Sequence, residues 1–149
     1  MVGLSTEELA RASEMVIEGD VEEVASQWSV DGEIIFTSAT VVIRRVIRGN
    51  TVQQKVVVEY EGGEVGRVGL KVSDVVEMKK GEKVILFLKK GKSNKDGVVF
   101  HAVGKAQGKY TVGDDGIARK KGFSLGRGEE VIDNNLPVDV LIDKIKRAP

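Results

Sequence analysis

Few side chains in this sequence could carry catalysis or bind a metal. His101 is the one histidine, and the chain contains no cysteine. A multi-histidine metal site, a thiolate site and a disulfide are therefore excluded. His101 falls in the apolar run Val98–Val103, which reads as a strand. We predict a structural or exposed role for it on a strand face.

The carboxylates occur in adjacent pairs, and this arrangement does not suit acid–base hydrolysis. A glycosidase needs two acids that face each other across a cleft, whereas neighbours in a turn or an exposed strand are usually only solvated. Asp114-Asp115-Gly116 also lacks the number of ligands that a calcium loop requires. We therefore predict a protein that is not an enzyme and that uses no cofactor or metal. The adjacent pairs are Glu22/Glu23, Asp114/Asp115 and Glu129/Glu130.

The glycine-rich stretch Glu61–Gly69 suggests a phosphate-binding loop at first sight. It has no GxxxxGK[ST] pattern, and no clear helix follows it to present backbone amides to a phosphate. We therefore predict a flexible or tightly turned connector in which some glycines adopt positive φ.

Basic side chains form local clusters that could contact a partner. Single-stranded nucleic-acid binders combine a basic groove with aromatic stacking platforms, but aromatic residues are only 5% of the chain. We favour a protein- or surface-binding module that uses loops at one end of a barrel. Single-stranded nucleic-acid binding is the alternative. The candidate partner-binding residues are Arg44, Arg48, Arg67, Lys90, Lys92 and Lys109.

Composition describes a globular protein of ordinary size. The 149 residues are 41% hydrophobic and 31% charged, with 23 basic and 23 acidic side chains. A formal charge of zero provides no overall field to attract nucleic acid or anionic lipid. The length favours one domain over residues 1–149. The apolar run Val84–Leu88 is too short for a transmembrane segment, and no signal peptide is recognisable.

The same run, Val84–Leu88, organises the expected fold. Glycines bracket it, and its large apolar residues predict a strand that is covered on both faces. Such a strand belongs in a barrel, in a sandwich or under a helix. Trp28, the one tryptophan, is expected in a core or rim-packing role. Further strands are predicted at about Val16–Val24, Glu33–Val46, Gln54–Tyr60, Val98–Val103, Lys109–Val112 and Ile117–Lys120. Gly19 in the first of these suggests a bulge or a tight bend, and Asp31-Gly32 is a turn signal. A single helical turn is expected at Ser73–Met78, a basic hairpin loop at Lys90–Gly97 and an irregular segment at Gly122–Gly128.

Helix signals stand at both ends of the chain. Ser5-Thr6-Glu7-Glu8 has the capping-box form and predicts a helix from Thr6 to about Glu14. Pro137 suits the first turn of a second helix at about 136–147. No βαβ alternation is present. We therefore predict a mainly β protein, an OB-like antiparallel β-barrel of Greek-key type at about 16–121 with a short helix at each terminus.

The order of motifs resembles an uncharacterised family of prokaryotic domains, many of them exported or surface-associated. The resemblance covers about Leu4 to Val112, and its most specific blocks are Gly81–Leu88 and Gln107-Gly108-Lys109-Tyr110. The sequence departs from that pattern around Glu77-Met78, where an aromatic residue commonly precedes the Gly-Glu block. The other matching blocks are Val16–Val21, Ser26-Gln27-Trp28, Thr40–Ile43, Val46–Gly49 and Gly62–Gly66.

The layout is also similar to netrin-like domains and to the inhibitory domain of tissue inhibitors of metalloproteinases, which are OB-like barrels. This similarity implies the fold alone, because those inhibitors engage the protease zinc through an N-terminal cysteine and this chain has no cysteine. The family context implies an exported or surface-associated protein whose leader is absent from the chain. A cytoplasmic location is the alternative.

Overall fold

A computed structural model describes residues 3–94, 97–121 and 133–149, with the backbone alone at 92–94. The protein is mainly β, with 50% of residues in strands and 16% in helices. The helices are α1 (Thr6–Ala12) and α2 (Val138–Arg147), and a 3-10 helix spans Lys105–Gly108. The strands are β1 (Met15–Trp28), β2 (Ile35–Arg48), β3 (Lys55–Glu61), β4 (Gly63–Val65), β5 (Val68–Leu70), β6 (Lys83–Asn94), β7 (Gly97–Ala102), β8 (Lys109–Val112), β9 (Ile117–Arg119) and β10 (Leu136–Pro137).

Eight of these strands form one sheet in the order β1-β2-β3-β7-β6-β8-β9-β10, and β1 also pairs with β6. All pairings in this sheet are antiparallel except that of β3 with β7, which is parallel. The expectation of a purely antiparallel sheet is therefore wrong at that pairing. Between β3 and β7 the chain passes through the β4–β5 hairpin and β6, and it returns in the direction of β3.

The run Val84–Leu88 lies in β6 and is fully buried on both faces, as predicted. Because side chains alternate along a strand, Ile85 and Phe87 enter one core, which is packed under α1 and α2. Val84, Leu86 and Leu88 enter a second core that is lined by β1, β2 and β3. Strand β1 divides its side chains between the two cores in the same way. The two cores therefore share their strands, and the structure is a single domain.

The predicted irregularity at Gly19 is confirmed. The pairing of β1 with β2 shifts register between Glu18 and Gly19. A Cβ atom at Gly19 would lie 2.5 Å from the carbonyl oxygen of Val42 and 2.7 Å from Cγ1 of Val41. Glycine therefore lets the two strands approach closely at this position.

Both helix predictions hold, with shifted boundaries. The capping box forms between Ser5 and Glu8, but α1 ends at Ala12 and not at Glu14. The second helix starts at Val138 because Leu136 and Pro137 pair with β9 as a short strand. Its apolar side chains enter the first core.

Three loop expectations meet different outcomes. The single helical turn expected at Ser73–Met78 is wrong, since Asp74 adopts φ 60° while Val76 and Met78 are drawn into the second core. Glu61–Gly69 is a tight connector as predicted, and it contains the β4–β5 hairpin, with positive φ at three glycines. The basic loop expected at Lys90–Gly97 is mostly strand, because β6 continues to Asn94. The irregular segment expected at Gly122–Gly128 lies outside the described residues.

Candidate partner-binding site

The hairpin that joins β1 to β2 projects a short turn at one end of the sheet. The Ser29 amide donates to the Ile34 carbonyl (2.8 Å), and the Asp31 carboxylate accepts from the Glu33 amide (3.0 Å) and from the Ser29 hydroxyl. These hydrogen bonds, that of the hydroxyl first, lower the pKa of Asp31. Gly32 adopts φ 73°, so the turn predicted at Asp31-Gly32 is confirmed.

Three large apolar side chains on this hairpin are exposed to solvent. Trp28 is 41% exposed, Val30 110% and Ile34 41%. We define these three residues as the hairpin tip. Trp28 is therefore not part of either core, contrary to the core role considered for it. All three residues lie in or next to the turn that joins β1 to β2.

A cleft of about 650 Å³ lies beside the second half of β1. Val24 and Ser26 of β1, the β4–β5 hairpin and the loop 71–79 form its walls. The hairpin lies close to the sheet because Gly63 has no side chain, and a Cβ there would be 2.4 Å from the Ser26 hydroxyl oxygen. Thr37 Oγ1 also donates to the Gly62 carbonyl (2.7 Å).

Two buried polar anchors fix the loop that forms the far wall of this cleft. The Tyr60 hydroxyl accepts from the Met78 amide (3.1 Å), and burial raises the pKa of Tyr60. Lys109 Nζ donates to the Glu77 carbonyl and to Glu82 Oε1, the latter at 2.8 Å. Burial lowers the pKa of Lys109, and the Glu82 carboxylate partly offsets this effect. The wall is therefore held in place rather than free to close.

Acidic side chains surround the hairpin tip and the cleft. All six are exposed, and no ion pair involves them among residues 3–94, 97–121 and 133–149. The cations on the cleft wall are Lys71 and Lys79. Arg67 is also exposed, in the turn of the β4–β5 hairpin. Six carboxylates against these three cations leave this end of the molecule with a negative excess. We call the six residues the acidic rim: Glu23, Asp31, Glu33, Glu61, Glu64 and Glu77.

A second cavity, of about 420 Å³, lies on the other side of the loop 71–79. Four basic side chains line it, but two of them already have acidic partners in the protein. Lys109 pairs with Glu82, and Arg119 Nη2 pairs with Asp115 Oδ2 at 2.7 Å. Asp74 and Glu77 also line the cavity. The local charge is thus close to balanced. The basic residues are Lys71, Lys109, Arg119 and Lys121.

The five predicted partner-binding residues whose side chains are described do not come together. Arg44 pairs with Asp20 on the exposed sheet surface. Arg48 donates to the carbonyls of Ile145, Ala148 and Pro149 and so caps the end of α2. Partner binding by these side chains stays a prediction. A partner that bound Arg48 or Lys109 would have to replace the internal contacts that these side chains make.

Of the other three predicted residues, Arg67 and Lys90 lie on different elements. Arg67 is exposed in the turn between β4 and β5. Lys90 borders a cavity of about 600 Å³ beside the β2–β3 loop. The side chain of Lys92 lies outside the described residues. Sequence reasoning sought cationic clusters, and it missed the exposed apolar residues of the hairpin tip.

The remaining chemistry-bearing residues have structural contacts. His101 Nδ1 lies 3.1 Å from the Glu59 carbonyl oxygen, and its ring packs over Gly91, where a Cβ would be 2.3 Å from Nε2. The structural role predicted for it is therefore supported. Within the described ranges, no three His, Cys, Asp or Glu side chains are grouped to hold a metal ion. No described helix is long and apolar enough to cross a membrane.

No protein-family model matches the chain, and no curated protein matches its sequence.

Proposed function

We propose that this chain is a non-enzymatic protein-binding module built on an OB-like barrel. The fold proposal is supported by the strand pairings. Each of the five strands β1, β2, β3, β7 and β6 pairs with two others in the cycle β1-β2-β3-β7-β6-β1. A closed barrel has this connectivity, and it leaves no open edge along the paired segments.

The hairpin tip is the observation that carries the functional proposal. Tryptophan is enriched among residues that dominate binding free energies at protein interfaces, because its large flat side chain buries much apolar area. Trp28, Val30 and Ile34 are exposed on the turn that projects from the sheet. Because Trp28 pairs with Ile35 and side chains alternate along a strand, Trp28 and Ile34 lie on opposite faces of the ribbon. Scattered exposed apolar residues need no explanation. Trp28, however, lies on the same face as Val24 and Ser26, which line the cleft, and this placement of a tryptophan fits the centre of an interface.

The acidic rim supports a protein partner over nucleic acid at this site. Phosphate backbones are bound through lysine and arginine, and the rim would repel them. Apart from Trp28, no aromatic side chain in the described part of the chain is exposed for stacking on bases. Tyr110 is fully buried, and Phe36 and Tyr60 are half-buried. Nucleic-acid binding remains the alternative for the basic side chains elsewhere on the chain.

A site-specific crosslink tests the proposal. A photoactivatable amino acid at Val30 is compared with the same amino acid at Val52, which is 96% exposed in the β2–β3 loop at the other end of β2. We expect one protein to crosslink in cells from position 30 and not from position 52. The purified partner should then bind the wild-type chain and lose at least tenfold in affinity with Trp28→Ala. Equal crosslinking from both positions, or unchanged affinity, would contradict the proposal.

A fluorescence titration tests nucleic-acid binding, which is the alternative function. Trp28 fluorescence is followed while single-stranded oligonucleotides are added at low and then at moderate salt. We expect no binding. Binding that weakens steeply with salt would indicate phosphate contacts and would favour the nucleic-acid function.

A further inference from the structure

The second half of β1 has a free edge. β1 pairs with β6 only from Met15 to Asp20, and Val21 exchanges backbone hydrogen bonds with Gly81 and Glu82. Beyond Val21, no strand in the described part of the chain pairs with this edge, although β2 continues along the other side to Trp28. Five residues, Val24 to Trp28, therefore leave about 17 Å of strand edge without a neighbour.

Hydrogen bonds in the hairpin identify which backbone groups point outward. The Ser29 amide donates to Ile34 across the hairpin, whereas the Ile35 carbonyl accepts from Gly62 on the opposite side. In an antiparallel pair these directions alternate along the strand. The register between Val24 and Trp28 contains no shift. The amide and carbonyl groups of Val24, Ser26 and Trp28 therefore face away from β2, which offers three donors and three acceptors to a partner.

This edge lacks three of the features that usually prevent pairing with another chain, although the β4–β5 hairpin lies against Ser26. Native proteins usually protect an edge with lysine, proline, a bulge or a covering element. Val24-Ala25-Ser26-Gln27-Trp28 contains no charge and no proline, and the register shift that precedes it ends at Glu23. The cleft beside β1 has room for an added strand, with a volume of about 650 Å³.

The charge around this edge indicates which kind of partner strand would bind there. The acidic rim borders the edge and the cleft, and it carries no ion pair within the described ranges. A second copy of the chain would bring the same carboxylates against these, and like charges at close range are unfavourable. A segment rich in lysine or arginine would instead form charge-assisted contacts.

We propose that the free edge of β1 binds an extended, basic segment of a partner protein by strand addition, with the hairpin tip as its apolar anchor. This inference rests on the proposed function, since it specifies how the same end of the molecule binds. Backbone hydrogen bonds supply affinity in this mode, and alternate side chains supply specificity. The segment's side chains on one face would enter the cleft beside Val24 and Ser26.

The probe is a synthetic ten-residue peptide of alternating lysine and valine, labelled for fluorescence anisotropy. Two matched peptides serve as controls: one with N-methyl groups on alternate residues, which removes the donors of one edge, and one of alternating glutamate and valine. We expect each control to bind at least tenfold more weakly than the probe. In the protein, Val24→Pro removes the outward-facing backbone N–H of Val24. We expect this variant to bind the probe peptide more weakly than wild type does. The N-methyl peptide gives the same test without altering the protein.

Amide hydrogen exchange locates the contact. The amides of Val24, Ser26 and Trp28 should exchange rapidly in the free chain and slow at least tenfold when the probe is bound. Equal binding of the N-methyl peptide, slow exchange of these amides in the free chain, concentration-dependent self-association through this edge, or no probe binding at ~1 mM would each overturn strand addition. If crosslinking from position 30 still succeeds, the proposed function is retained and only strand addition is rejected. If crosslinking fails as well, both fall.

Discussion

Lys120 makes the stability of this protein depend on pH in a direction that can be measured. Its side chain is buried beside Tyr110, with Nζ 4.9 Å from the ring centroid and 3.5 Å from the Leu4 carbonyl oxygen. No carboxylate contacts the amine among the described residues, although Asp133 acts on it at longer range. Burial therefore dominates and lowers the pKa of Lys120 from 10.5 to about 8.

The sign of this pH dependence follows from the number of protons bound by the folded and the unfolded chain. Between pH 8 and 10.5 the unfolded chain holds a proton on Lys120 that the folded chain has released, so the free energy of unfolding rises with pH in this window. Below pH 8 both states are protonated, and the folded state carries the full cost of a buried ammonium. A lowering from 10.5 to about 8 corresponds to a cost of about 3 kcal/mol at pH 7. About 2 kcal/mol of this cost is relieved by pH 9.5.

Lys120→Met removes the titrating group and keeps most of the apolar volume. The variant loses the contact of the amine with the Tyr110 ring, which is worth about 0.5–1 kcal/mol. We therefore expect it to be more stable than wild type by about 2 kcal/mol at pH 7 and by only about 1 kcal/mol at pH 9.5, where the amine of the folded chain is mostly neutral. Urea unfolding at the two pH values measures this, and Lys89→Met, at an exposed lysine, is the control.

The outcome that would refute this reasoning is also clear. Tyrosines titrate in the same range, but wild type and variant share them, so their contribution cancels in the difference. If Lys120→Met and wild type changed in parallel between pH 7 and 9.5, the amine would not be desolvated. If the variant were less stable at pH 7, the contacts of the ammonium would outweigh its burial.

Two further predictions concern positions that shape the site and the sheet. Lys109→Met leaves the Glu82 carboxylate without its buried partner, and we expect a loss of about 3 kcal/mol in urea unfolding. The double variant with Glu82→Gln should recover at least ~1 kcal/mol of it, and strict additivity would argue against a coupled pair. Gly19→Ala should cost about 1–3 kcal/mol because its Cβ meets the Val42 carbonyl. Gly69→Ala, with 3.5 Å of clearance at its Cβ, should unfold like wild type, and equal losses would contradict the steric argument.

Local patterns in the sequence were sufficient for most elements. The capping box at Ser5, the turn at Asp31-Gly32 and the irregularity at Gly19 each depend on residues close in sequence, and each forms as predicted. The apolar run Val84–Leu88 likewise required two covered faces, because both alternating sets of its side chains are large and apolar. The structure assigns these sets to two cores.

The site depended on contacts that no local pattern contains. The sequence predicts an exposed cation at Lys109. In the structure, Lys109 lies on β8, where it pairs with Glu82 and is buried. Arg48 likewise meets the end of α2, about 100 residues away in the chain. The loop expected to be helical at Ser73–Met78 is instead held extended through Tyr60. In each case a long-range partner outweighed the local preference.

The sequence by itself determined a cysteine-free, mainly β protein with a helix at each end and a central strand buried on both faces. These properties follow from composition, spacing and alternation, which act over a few residues. Only the tertiary structure decided that Trp28, Val30 and Ile34 are exposed, that no described strand pairs with the outer edge of β1 beyond Val21, and that β3 and β7 run parallel. Exposure and strand neighbours depend on which distant segments reach a surface, and this is set by the packing of the whole chain.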